Sequence, residues 1–112
     1  MSKAIVTGGA GFIGSNLVDK LVELYDKVIV IDNETADSNE QFYYNDKAEK
    51  HLLNVGDYKN TRPLYDGVDC VFHLAAESRI QPTLENPVLA TLSNVVGTCT
   101  VLQCAKEAGV KR

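Results

Sequence analysis

Lys3-Ala-Ile-Val-Thr-Gly-Gly-Ala-Gly-Phe-Ile-Gly14 is the stretch whose reading decides the fold. Ala4, Ile5 and Val6 form a short apolar run, as expected of a strand buried on both faces. Gly8, Gly9, Gly11 and Gly14 follow, and Phe12 and Ile13 open an apolar-periodic segment that reaches Tyr25. The order is therefore strand, glycine turn, helix. Gly9, Gly11 and Gly14 satisfy G-x-G-x-x-G, while Gly8, Gly11 and Gly14 satisfy G-x-x-G-x-x-G. Such a turn suits the pyrophosphate of a dinucleotide. Glycine lets the backbone bend sharply and approach the anion, and the helix start aims N–H groups and a positive dipole end at it.

A glycine motif alone is weak evidence. Here an acid, Asp32, closes the next apolar run, Lys27 to Asp32, about 20 residues on. At that place a carboxylate accepts hydrogen bonds from the adenosine ribose hydroxyls and repels a 2′-phosphate. With no arginine beside it, NAD is favoured over NADP. The plainer alternative is a glycine-rich turn with a capping acid and no ligand, and the combined context argues against it.

Working outward, strand one covers about Lys3 to Thr7 and helix one about Gly11 to Tyr25. Ile13, Leu17, Leu21 and Leu24 fall at helical spacing and are expected to face the sheet. Strand two is Lys27 to Asp32. Asn33 to Ala48 is polar and acidic and reads as loop, with a short helical turn at Gln41 to Tyr44. His51 to Val55 reads as strand three, and Asp57 as the cap of a helix running to about Tyr65. Asp69 to Leu74 is strand four. Pro82 to Pro87 is a turn-rich connection. Pro87 then opens a helix to about Ala108, with Gly109 as its C-cap. Along that helix Val88, Leu92, Val95, Cys99 and Leu102 make one stripe. Val96, Val101, Ala105 and Ala108 extend the apolar surface to a second side. The whole predicts an α/β, Rossmann-like, doubly wound parallel sheet of strand order 3-2-1-4, with ligands at the carboxyl ends of the strands.

The same motifs resemble a known family. Thr7 to Gly14 (T-G-G-A-G-F-I-G) is similar to the cofactor signature of extended short-chain dehydrogenases/reductases, in the nucleotide-sugar 4-epimerase and 4,6-dehydratase branch. Asp32-Asn33, Asp57, His73 to Ser78 (H-L-A-A-E-S) and Asn94 to Thr98 (N-V-V-G-T) continue the resemblance over nearly the whole chain. It implies NAD as cofactor, with Gly8, Gly11, Phe12 and Ile13 at the pyrophosphate and Asp32 and Asn33 at the adenosine. Asp57 would meet the adenine amino group, with a backbone contact from Tyr58. Leu74, Ala75 and Ala76 would lie at the nicotinamide side, where Asn94 reaches a phosphate or orders the site. Arg79 either meets a substrate phosphate or is a solvated loop charge.

The resemblance also implies a strand five with Ser or Thr, then a helix with Tyr-x-x-x-Lys, neither of which follows Arg112 in these 112 residues. Residues 1–112 are thus expected to be a single nucleotide-binding domain without catalytic residues, inactive alone. A nucleotide-sugar (UDP- or dTDP-sugar) would be substrate only of a complete enzyme. Tyr43 and Lys47 match Tyr-x-x-x-Lys, but they sit in the loop after strand two, on the adenosine side, out of reach of a nicotinamide. His73 and His51 are read as structural histidines. The alternative function is a non-catalytic nucleotide-binding or interaction module of the same fold.

Bulk properties narrow the partners. A net charge of −4 argues against nucleic acid or an anionic membrane surface. No apolar run approaches the roughly 18 residues of a membrane span. Without a leader-like start, the expected location is the cytoplasm. The three cysteines, Cys70, Cys99 and Cys104, have no metal spacing and read as buried thiols. Self-association through the 87–108 helix is expected, on the side bearing Val101, Ala105 and Ala108. Strand four should be an open edge.

Overall fold

The structure is a computed structural model that describes residues 2–9, 12–33, 45–75, 88 and 92–112. Four parallel strands, β1 (Lys3–Thr7), β2 (Lys27–Asp32), β3 (Glu49–Leu52) and β4 (Cys70–His73), form one sheet of order β3-β2-β1-β4. This is the expected order. β1 is central, with Ile5 opposite Ile29 on one side and Val71 on the other.

Side chains alternate across a strand, so each strand feeds two cores. Ile5, Ile29 and Ile31 point to one face and join Val55, Tyr65, Val68, Val101 and Cys104. Val6, Val28 and Val30 point to the other and join Val18 and Leu21. The first face is covered by α2 (Tyr58–Thr61), the 3₁₀ turn Arg62–Tyr65 and α3 (Gly97–Ala108). The second is covered by α1 (Phe12–Leu24). Helices on both faces explain why β1 and β2 are apolar almost throughout.

Several expectations are corrected. In α1 the sheet-facing line runs through Val18 and Leu21 with Leu17 beside it, while Ile13 (71% exposed) and Leu24 (70%) face away. β3 is Glu49–Leu52 rather than His51–Val55. It is an edge strand, ending where Leu53 and Val55 leave the sheet to pack under α3.

The two sides of α3 are also exchanged. Val101, Ala105 and Ala108 belong to the chain's own core. The open side of α3 carries Leu102 and Cys99, which is exposed rather than buried, and Val88 and Val95 before α3 are exposed as well. A π-helical turn, Leu92–Val96, precedes α3, so the long helix is not regular. Finally, the outer edge of β4 is partly met within the chain: the Val71 N–H donates to the Arg112 carbonyl at 2.7 Å. Gly109, in the left-handed region at φ 77°, caps α3 as expected and turns the chain back.

Candidate dinucleotide site

The carboxyl ends of all four strands lie along one edge of the sheet, and the glycine turn leaves from its centre. Gly8 has φ 72°, a conformation open to glycine at little cost, and its N–H donates to the Ile31 carbonyl at 2.8 Å. A Cβ on Gly8 would stand 3.0 Å from the Ala75 nitrogen. On Gly9 it would stand 2.7 Å from Val30 Cγ1, and on Gly14 only 2.1 Å from the Gly8 carbonyl oxygen. Three glycines therefore answer three contacts: turn against β4, turn against β2, and helix against turn. The turn at Gly8 and Gly9 is close-packed backbone. α1 starts on it at Phe12, and the first-turn N–H groups of a helix have no intrahelical acceptor. Gly11 and Ala76 lie outside the described residues, as do Tyr43, Glu77, Ser78 and Arg79.

Asp32 ends β2 beside this turn, 8% exposed, and Asn33 follows at the surface. Beyond β3, Asp57 is the N-cap of α2. One carboxylate oxygen accepts the Asn60 N–H at 3.3 Å and the other accepts from Asn60 Nδ2 at 2.7 Å. The Tyr58 N–H donates to the Gly56 carbonyl at 3.1 Å. The Tyr58 hydroxyl donates to Glu107 on α3, which also accepts from Arg62 Nε (3.1 Å) and Gln103 Nε2 (2.6 Å). These donors, Tyr58 first, hold the Glu107 carboxyl below its usual range, and Glu107 in turn raises the Tyr58 hydroxyl. Glu107 was not singled out from the sequence. A charge in the last turns of a helix carries no signal of a partner 49 positions away.

On the β4 side, Thr7 and His73 organise the edge. Thr7 Oγ1 accepts the N–H groups of Leu74 (3.0 Å) and Ala75 (3.2 Å). His73 Nδ1 lies 2.7 Å from Thr7 Oγ1, and Nε2 lies 2.9 Å from Thr98 Oγ1 at the start of α3. His73 is the satisfied histidine expected, but its partners are two threonine hydroxyls. Thr7 was legible as a polar residue ending an apolar strand; Thr98 was not. Burial pushes the His73 imidazole below its ordinary value. Asn94 lies exposed in the π-helical turn. His51, by contrast, sits on the edge strand and pairs with Glu49 at 2.9 Å. Among the described residues no group of three or more His, Cys, Asp or Glu could hold a metal ion. No helix among them is long and apolar enough to cross a membrane.

A parallel sheet covered on both faces, with a glycine turn at its central strand and an acid ending the neighbouring strand, defines a Rossmann-like fold of the dinucleotide-binding type. The profile described as the NAD dependent epimerase/dehydratase family matches residues 4–112. The chain belongs to that family.

Among curated relatives, UDP-glucuronic acid decarboxylase 1 of Arabidopsis thaliana is 38% identical over 97% of this chain and 25% of its own length. The solved UDP-glucose 4-epimerase of Thermotoga maritima, with UDP-glucose, superposes with a TM-score of 0.87 at 33% identity. That match covers 97% of this chain and 35% of that one. The dTDP-glucose 4,6-dehydratase of Streptomyces venezuelae, solved with NAD bound, gives 0.81 at 34% identity over 96% of this chain and 37% of that one. The chain thus spans about a quarter to a third of the length of the curated relatives it matches.

Proposed function

We propose that this chain is the NAD-binding portion of a nucleotide-sugar 4-epimerase or 4,6-dehydratase acting on a UDP- or dTDP-sugar. The observation that carries this reading is the close-packed glycine turn at the end of the central strand, where Gly8, Gly9 and Gly14 bring strand ends and helix start together with no side chain between them, with Asp32 ending the adjacent strand. The residues present fit the cofactor. The glycine turn, with Gly11, and the first-turn N–H groups at Phe12 and Ile13 take the pyrophosphate. Asp32 accepts from the adenosine ribose, with Asn33 beside it. Asp57 retains lone pairs for the adenine amino group while holding Asn60, and Tyr58 borders the same end. Leu74, Ala75 and Ala76 are assigned to the nicotinamide side, with Asn94 reaching a phosphate there or ordering the site.

Bound NAD supplies a hydride acceptor for the sugar. The Tyr-x-x-x-Lys spacing of Tyr43 and Lys47 falls between β2 and β3 in the sequence, on the adenosine side, so residues 1–112 alone are expected to bind NAD without turnover. It pairs with a second copy through the exposed side of α3.

Titration calorimetry with NAD and NADP tests the reading. NAD should bind better, and Asp32→Ala should weaken it about 10- to 100-fold, the range for hydrogen bonds to a charged group. Equal or tighter binding of NADP would remove Asp32 from the ribose.

A further inference from the structure

The Thr7–His73–Thr98 chain crosses three elements, and its proton positions follow from counting. Thr7 Oγ1 already faces two N–H groups, that of Leu74, which it shares with the Thr7 carbonyl at 3.1 Å, and that of Ala75. A hydroxyl has two acceptor sites and one proton. That proton goes to the remaining neighbour, His73 Nδ1, at 2.7 Å. Nδ1 is therefore bare, and the ring's hydrogen is on Nε2, which donates to Thr98 Oγ1 at 2.9 Å. The imidazole is neutral, with one tautomer.

The ends of this chain are the parts that bound the cradle. Thr7 directly precedes Gly8. The Ala75 nitrogen it holds is the atom closest to where a Gly8 Cβ would be. Thr98 lies one helical turn after Asn94, just past the π-helical turn. We propose that His73 is a positioning residue for the dinucleotide. In its Nε2–H form it orients the Thr7 hydroxyl onto the Leu74 and Ala75 amides and ties the start of α3 to the end of β4. Glycine turn, β4 end and π-helical turn then keep one spacing. This rests on the NAD reading above, and His73 itself touches no cofactor.

The test combines imidazole nitrogen NMR, amide exchange and NAD titration on the 112-residue chain. The expected spectrum shows a bare Nδ1 and a protonated Nε2. His73→Leu should weaken NAD about tenfold and expose the Ala75 amide to exchange, while the Leu74 amide keeps the Thr7 carbonyl. His73→Gln should restore both to within about twofold, because its amide accepts and donates from neighbouring atoms as the imidazole does. Should His73→Leu not fold, Thr98→Val, which removes only the Nε2–H acceptor, should still weaken NAD. A protonated Nδ1, or wild-type NAD affinity in His73→Leu or Thr98→Val, would overturn the proposal. If the wild-type chain binds no NAD, the functional reading fails; the tautomer and the exchange rescue by His73→Gln then decide the hydrogen-bond chain separately.

Discussion

A methyl group on Gly14 would meet the Gly8 carbonyl at 2.1 Å, and backbone cannot swing aside as a side-chain tip can. Gly14→Ala should therefore cost about 1–3 kcal/mol in denaturant unfolding, the range for overpacking, and should weaken NAD as the turn shifts. The pattern G-x-x-G identified Gly14, but the reason for it, contact between helix and turn, needed the structure. Asp57 was likewise legible as a cap, whereas its grip on the Asn60 side chain was not.

His73 gives a pH dependence. Burial lowers its folded-state value below the ordinary 6.5, so below about that pH the unfolded chain takes up a proton the folded chain refuses. The contribution is complete above pH 6.5 and is lost as pH falls through the window beneath it. The urea midpoint should drop between about pH 7.5 and pH 5, and drop less in His73→Gln. An equal drop in both would assign the effect to other groups.

At the scale of elements, the helices were readable but their facing sides were not. α1 was read from its large residues, which placed Ile13 and Leu24 on the sheet. The sheet is met instead along Val18 and Leu21, while Gly14 packs on the glycine turn, where the closest contact goes to the residue without a side chain. Val18→Ala should cost about 1–3 kcal/mol, and Leu24→Ala less than about 0.5 kcal/mol, in the same unfolding assay.

α3 failed for a related reason. It is apolar on two sides, and periodicity does not say which side meets the sheet. The smaller set, Val101, Cys104, Ala105 and Ala108, lets the helix sit close to the sheet. Val95 and Leu102 remain exposed, on the surface proposed above for pairing with a second copy. Leu102→Lys should leave unfolding nearly unchanged and shift light scattering towards the monomer. An unaltered assembly would move the pairing elsewhere.

For the molecule as a whole, the doubly wound order followed from the alternation of apolar runs and helices, and the parallel sheet bears it out. β3 was the weakest strand to read. Its residues Glu49 to Leu52 are mostly exposed at the sheet edge, while the apolar Leu53 and Val55 that suggested a strand serve the helix layer instead. The central claim is that a dinucleotide lies across the carboxyl edge, from Asp57 past Asp32 and the glycine turn to Ala75. Amide NMR of the labelled chain titrated with NAD tests it most directly. The account predicts that the signals of Gly8, Ile13, Asn33, Tyr58 and Ala75 move together with one affinity, while Lys20, Glu23 and Gly67 stay in place. Shifts confined to residues away from that edge, or no saturable shift at all, would contradict it.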